Sequence, residues 1–296
     1  MSRRLLPFLI LTPLLAAEHG VDPTFLRRSV SDVAEKAMDI SSPTCHYKPL
    51  FGEGDGQIRV IQSIARFGEM TVDTGGGGKP VAYPREEQVY FIAEGTGELL
   101  YGDHKVPVRR NDFMYLPAGI AHALSNAGTA PLRAIVMGFK LPAGVAAGVP
   151  SKPMVANTED VKKQVVGNHP PSTLYQLMIG DVRSTRDKIA AAHVLTSLFI
   201  MEITPGGTNQ PHHHEREEEI YLLLDGHGDM VAGGGIDGVE GRHRSKPGDA
   251  YFFRLNCTVG FYNTGSTNAH ILALRSLYPF PGKTRRCRAP AAAFVP

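Results

Sequence analysis

A repeat restricts the fold of this chain more than any other feature of it. Gly75, Gln88 and Gly95 recur as Gly206, Glu219 and Gly226 at a constant offset of 131, while Asn111 and Asn126 stand against Gly248 and Asn263 at 137. The difference of six is an insertion between the two blocks, and the run Gly233-Gly234-Gly235-Ile236-Asp237-Gly238 is the natural place for it. A chain of 296 residues that repeats itself in this way reads as two similar units. Their apolar pattern is that of strands: IRVIQSIARFGEMTV, EEQVYFIAEGTGELLYG and NDFMYLPAGIAHALSN in the first, HVLTSLFIMEI and HILALRSLYPF in the second. HVLTSLFIMEI is apolar at both odd and even positions, as expected of a strand covered on both faces. The chain has 32 glycines and 22 prolines, enough to turn many short strands.

Chemistry concentrates in GGTNQPHHHEREEEIYLLLDG, residues 206–226. On an extended segment alternate side chains share a face, so His212 and His214 point one way and His213 the other. Two neutral imidazoles and a carboxylate suit a divalent transition metal such as Fe, Mn, Ni or Zn. A solvated, histidine-rich loop is the alternative.

The spacing is that of the first cupin motif, Gly-x5-His-x-His-x(3,4)-Glu-x6-Gly. Gly206, His212, His214, Glu219 and Gly226 fall on it, and the motif picks Glu219 from its acidic neighbours. The chain therefore resembles the cupin superfamily, and with two copies it resembles a bicupin. The resemblance implies an all-β fold of two tandem double-stranded β-helix (jelly-roll) barrels, with a few short helices in the N-terminal flank and linker. It also implies one divalent metal in the C-terminal barrel, held by His212, His214 and Glu219, with about three coordination positions left open. The second motif, Gly-x5-Pro-x-Gly-x2-His-x3-Asn, is met only at its ends by GDAYFFRLNCTVGFYN, because Arg254, Asn256 and Val259 replace its proline, glycine and histidine. Val259 cannot ligate, and Cys257 is either a buried thiol or a substitute ligand. The first copy is the complement. Pro117, Gly119, His122 and Asn126 fit the second motif, but Val81, Tyr83 and Gln88 stand where the first motif needs ligands. That barrel is expected to be metal-free. Tyr83, Gln88 and His122 would share its interior, as a hydrogen-bonded cluster or as a pocket for a small polar ligand.

Arg254, in the altered turn, is a candidate clamp for a substrate carboxylate, or else a surface arginine paired with a glutamate. His193, His227 and His243 are weaker acid–base candidates. The resemblance implies a metal-dependent enzyme on a small oxygenated or carboxylated molecule, with dioxygenase chemistry slightly ahead of decarboxylase or isomerase chemistry. Its alternatives are a protein that binds a sugar or organic acid without catalysis, and a structural protein with a relic site.

The balance of 31 basic against 29 acidic residues gives a net charge of +2 and argues against a nucleic-acid partner. MSRRLLPFLILTPLLAAEHG reads as a secretory leader, with Arg3 and Arg4 before an apolar core and Ala16-Ala17 at the cleavage site. This implies a periplasmic or secreted protein, with no membrane partner after cleavage. The expected organisation is 1–17 leader, 18–50 helical flank, 51–140 first barrel, 141–188 linker, 189–280 second barrel and 281–296 tail. In the flank, Asp22 and Pro23 would begin a helix over 22–38 with Leu26, Val30, Val33, Ala34 and Ala37 on one stripe. In the linker, Asn157 would cap a short helix. Three cysteines exclude a disulfide scaffold, although Cys45 and Cys287, placed in the two flanks, would pair in an oxidising compartment. Sheet edges would permit a homodimer, a need that the tandem repeat already meets within one chain.

Overall fold

The strands at the centre of each unit have no solvent face, and this decides the architecture. In EEQVYFIAE, Val89 and Phe91 join an apolar cluster that runs between the two units, while Tyr90 and Ile92 fill the interior of their own unit. In EEEIYLLLD, Ile220 and Leu222 enter the same shared cluster, and Tyr221 and Leu223 turn to their own interior. Continuous apolar runs are thus strands sandwiched between two cores.

The structure is a computed structural model describing residues 22–145, 148, 152–234 and 240–279. The leader, the tail, Cys287 and residues 235–239 of the insertion lie outside the described residues. The first repeat comprises β1 (Phe25–Ser29), β2 (Cys45–Gly52), β3 (Ile64–Val72), β4 (Glu86–Glu94), β5 (Thr96–Tyr101), β6 (His104–Arg109), β7 (Asp112–Leu116), β8 (His122–Ser125) and β9 (Leu132–Lys140). The second comprises β10 (Met154–Asn157), β11 (Thr173–Asp181), β12 (Ile189–Ala192), β13 (Leu195–Ile203), β14 (Glu217–Asp225), β15 (Gly228–Gly233), β16 (Glu240–Ser245), β17 (Asp249–Phe253), β18 (Thr258–Asn263) and β19 (Ala269–Leu277). The starts of β3 and β4 recur in β13 and β14 at 131, and those of β7 and β9 in β17 and β19 at 137. The insertion therefore falls in the β15–β16 connection.

Two tandem barrels result. A sheet ordered β10-β7-β4-β9-β3-β2 faces β6-β5-β8, and a sheet ordered β1-β17-β14-β19-β13-β11-β12 faces β16-β15-β18. Each barrel lends the other an edge strand. β1 pairs with β17, Leu26 opposite Phe252 and Ser29 opposite Asp249, as β10 pairs with β7, Met154 opposite Tyr115 and Asn157 opposite Asp112.

This exchange corrects several expectations. The helix expected over 22–38 is absent. Phe25–Ser29 is a strand, because an open ladder on β17 and a buried slot for Leu26 outweigh a weak helical stripe. Val30 and Val33 pack on the inter-barrel cluster, but Ala34 and Ala37 are exposed. The expected linker, 141–188, supplies β10 to the first barrel and β11 to the second. The helix expected at Asn157 is a single 3-10 turn, Thr158–Asp160, and Asn157 does cap it by accepting from the Glu159 N–H. Cys45 is not in a flank outside the barrels: it opens β2 and is buried in the first barrel's core. No helix of the described residues is long and apolar enough to cross a membrane.

Two fully buried carboxylates cross the interface in equivalent ways. Glu87 accepts from the backbone N–H groups of His193, Val194 and Leu195 (2.8, 2.8 and 2.9 Å) and from the Tyr115 hydroxyl (2.9 Å). Glu218, its counterpart at 131, accepts from the N–H groups of Gln62 and Ser63 (2.9 and 2.7 Å) and from the Ser63 hydroxyl. Each staples the start of an inner strand of the opposite barrel. Replacing Glu218 by alanine leaves those donors buried without an acceptor. We expect a loss of about 3 kcal/mol in urea unfolding followed by circular dichroism, and a loss below about 0.5 kcal/mol would show that the staple is idle.

Candidate metal centre

Glu219 is the third residue of β14 and turns inward with Tyr221 and Leu223. The chain reaches it through Gln210, whose left-handed backbone (φ 60°) redirects the histidine segment along β18. There His212 and Val259 exchange two backbone hydrogen bonds, 2.9 and 2.8 Å, and the Asn256 N–H donates to the His214 carbonyl at 2.9 Å. As the alternation predicts, His213 and Glu215 are exposed while His212 and His214 turn inward; Glu218 faces the other barrel.

The ligand atoms of His212, His214 and Glu219 all lie within 4.8 Å of one another. Atoms bound to one ion at about 2.0–2.2 Å are at most about 4.4 Å apart, so small side-chain adjustments close this set on a metal. The Nδ1–H of His212 donates to the Gln210 carbonyl at 2.8 Å, which leaves the Nε2 lone pair for coordination. Burial pushes the His212 imidazole down in pKa, with Glu219 opposing, and so favours the neutral, ligating form. His214 Nε2 lies 3.3 Å from Glu219 Oε2.

These residues line a cavity of about 130 Å³ together with Tyr175, Ser197 and Arg275. Five buried atoms on that lining make no hydrogen bond: His214 Nε2, Glu219 Oε2, Tyr175 Oη, Ser197 Oγ and Arg275 Nε. Buried polar groups ordinarily find partners, and these five are placed to take up a metal ion or a polar ligand; the interior of the first barrel holds four more, Tyr47 Oη, Arg66 Nε, Gln88 Oε1 and His122 Nε2. Burial, and then the charge of Glu219, push the Tyr175 phenol up, so it remains a donor at neutral pH.

Arg254 is elsewhere. Its Nη1 donates to the Pro23 carbonyl at 3.3 Å and its N–H to the Thr24 carbonyl at 2.9 Å, which fastens the lead into β1. The arginine on the cavity is Arg275, opposite both Ser197 and Glu219 in the strand registers. Its signal was a charged residue continuing the inward register of Ile271 and Ala273 in an apolar strand. His169, from the expected linker, was also missed. It lines the cavity with its ring 5.2 Å from that of His212, and its Nδ1–H donates to the Asn209 carbonyl at 2.6 Å. His193, His227 and His243 do not line it. The Cys257 thiol bonds to the backbone of Gly233 and is no ligand of this group.

The first barrel does bring Tyr83, Gln88 and His122 into one interior. The His122 ring lies 5.8 Å from Tyr83 and 5.4 Å from Tyr90, and the bridge Val81–His122 matches His212–Val259. The space is occupied by Arg66, which is ion-paired to Asp39, Glu53 and Glu86 and stacked 4.1 Å over Tyr83. Among the described residues the grouping of three possible ligands is that of the second barrel. Burial pushes His122 down to about 4. Because the folded value lies below the unfolded one, this residue's contribution is intact above pH 6.5 and is lost as the pH falls through 4. We expect His122→Asn to remove about 3 kcal/mol of the stability difference between pH 7 and pH 4, measured by urea unfolding at each pH; an unchanged difference would show that His122 is not buried as neutral imidazole.

Residues 68–138 and 199–275 each match the Cupin domain family. A protein of Pseudomonas aeruginosa described as glyoxylate-induced superposes with a TM-score of 0.70 at 15% identity, over 88% of this chain and 92% of its own. An oxalate decarboxylase from Lactobacillus farciminis, solved with formate, superposes with a TM-score of 0.64 at 14% identity over 88% of both chains. At these identities the likeness is one of fold. An uncharacterized protein of Methanocaldococcus jannaschii is 30% identical over 53 residues, 18% of this chain, and the match spans only 42% of that protein's length.

Proposed function

The chain belongs to the cupin domain family, and from that premise we propose that it is a metal-dependent enzyme acting on a small carboxylated molecule in its C-terminal barrel. The supporting observation is the approach of the His212, His214 and Glu219 ligand atoms to within 4.8 Å of one another on a cavity that Tyr175, Ser197 and Arg275 also line. A divalent ion on His212, His214 and Glu219 would polarise a chelated oxygen and acidify a bound water. The protein's own part is to bind, orient and exclude water. Tyr175 offers a hydroxyl donor, Ser197 a donor and acceptor, Arg275 a cation, and Leu177 and Phe199 an apolar wall.

Size supports a small ligand: a cavity of about 130 Å³ is a little smaller than the roughly 150 Å³ that admits benzene. The fold neighbour solved with formate is an oxalate decarboxylase, and another study of such an enzyme concerns its Mn(II) centres, which supports manganese among the candidate ions. The leader at 1–17 adds export to the proposal, and N-terminal sequencing of the mature protein should then begin at residue 18.

Protein purified without added metal should carry about one ion per chain by elemental analysis. His212→Ala with Glu219→Ala should lower metal affinity at least about 100-fold, and unchanged metal content would refute the ligand set. Val259 is the direct cross-strand partner of His212, so Val259→His places a third imidazole on the same face and should tighten metal binding. Retention of metal with no turnover of any short acid would make the protein a binder instead.

A further inference from the structure

The two barrels house an arginine in opposite ways. Where β3 meets β9, Arg66 stands opposite Gly138, and where β13 meets β19, Ser197 stands opposite Arg275. Each interior thus receives one guanidinium, from adjacent strands, beside a residue small enough to admit it. A Cβ on Gly138 would lie 2.8 Å from Cγ of Arg66. Both guanidiniums reach the same carboxylate position: Arg66 Nε is 3.5 Å from Glu86, and Arg275 Nη1 is 3.3 Å from Glu217, its counterpart at 131.

They differ in their remaining partners. Arg66 is paired by the protein at its Nη atoms, with Asp39 at 3.0 Å, Glu53 at 2.7 Å and the Tyr83 hydroxyl at 2.8 Å, while its Nε makes no hydrogen bond. The Tyr83 hydroxyl in turn donates to Asp39 at 2.8 Å. Among the described residues Arg275 has Glu217 alone within ion-pair range, and its Nε, like that of Arg66, is buried without a hydrogen bond.

The segments leading into β2 and β11 align at an offset of 128 and share two backbone hydrogen bonds, although Gly167 is left-handed where its counterpart Asp39 is not. Lys36 donates to the Tyr47 carbonyl where Gln164 donates to that of Tyr175, and Ser41 to Met38 where His169 donates to Val166. On this alignment Asp39 corresponds to Gly167 and Glu53 to Asp181, which is held by Arg183 at 3.3 Å. Gly167 lies on the wall of the metal-site cavity in a left-handed conformation (φ 57°), and a Cβ there would meet nothing within 4 Å. The second barrel thus has no side chain where the first has the Asp39 carboxylate, and the space around Gly167 is open.

We propose that the second barrel binds the carboxylate of a small acid in the position that the Asp39 side chain holds in the first, paired to Arg275 beside Gly167. Guanidinium and carboxylate match in charge and planar geometry. The metal half of the site rests on the function proposed above. With both halves, the ligand class is an acid of about two to four carbons bearing a second oxygen for the metal: a hydroxy, oxo or dicarboxylic acid. The first barrel, by contrast, carries its own carboxylate on the arginine.

The test is calorimetric titration of the metal-loaded full chain with glycolate and oxalate, and with the uncharged glycolamide. The acids should bind, and glycolamide should bind at least about tenfold more weakly. Gly167→Asp supplies the missing carboxylate from the protein, in a left-handed position that Asp tolerates. It should lower acid affinity at least about tenfold while metal content stays at the wild-type level. Gly167→Ala, equally left-handed but uncharged, should weaken the acids far less. Arg275→Met should also lose acid binding and keep its metal, which provides a second route should the Asp variant fold poorly. Equal affinity for glycolamide, or wild-type acid affinity in either Gly167→Asp or Arg275→Met, overturns the proposal. If the wild type holds no metal, the metal reading falls alone: acid binding that still depends on Arg275 upholds this subsite, and its absence removes it.

Discussion

The structure depends on a core that belongs to neither barrel. Phe51, Phe67, Val89, Phe91 and Phe113 from one unit meet Ile220, Leu222, Phe252 and Leu272 from the other, with the Phe51 and Phe252 rings 6.1 Å apart. Neither barrel alone would cover that face. The exchanged edge strands β1 and β10 and the crossed carboxylates Glu87 and Glu218 follow from it. A face buried between barrels must satisfy the backbone groups at the starts of its strands, and water cannot reach them. A carboxyl group accepting three or four hydrogen bonds meets that demand at one point in each direction. This shared face also fixes the positions of β14 and β19, and through them Glu219 and Arg275.

The doubly covered strands were legible in the sequence because their apolar runs show no alternation, and the repeat announced a second copy of whatever the first was. The partners of the short edge strands were not legible. FLRRS and MVAN carry too few residues for a period to emerge, and what makes them strands is an open ladder more than a hundred residues away. The helical stripe over 22–38 was real as a pattern and lost to that ladder. Cys45 was misplaced for the same reason: its strand pairs with β3 across a connection that no local signal describes.

The site shows a similar division. His212, His214 and Glu219 were fixed by spacing, since an alternating segment delivers them to one face whatever the surroundings. Arg254 was chosen because it breaks a motif, but a position in a motif says nothing about direction, and its guanidinium turns to the Pro23 carbonyl. Arg275 and His169 lie outside both motifs. Arg275 was visible only once the inward register of β19 was known, and His169 only once the chain before β11 was seen to fold over the barrel mouth.

The comparison of the two interiors carries the functional argument furthest. A jelly-roll barrel of this size has an interior that something must occupy, because a dry void forfeits contacts and a polar one leaves groups unsatisfied. In the first barrel Val81, Tyr83 and Gln88 provide no ligand set. The volume goes to Arg66, whose charge, once buried, demands the carboxylates of Asp39, Glu53 and Glu86. In the second the ligand set is present, the arginine comes from the neighbouring strand, and the position of Asp39 is a glycine. On the function proposed above, the second barrel takes from solution a carboxylate such as the first supplies with Asp39, and the difference is set by a few residues on paired strands rather than by the barrel itself.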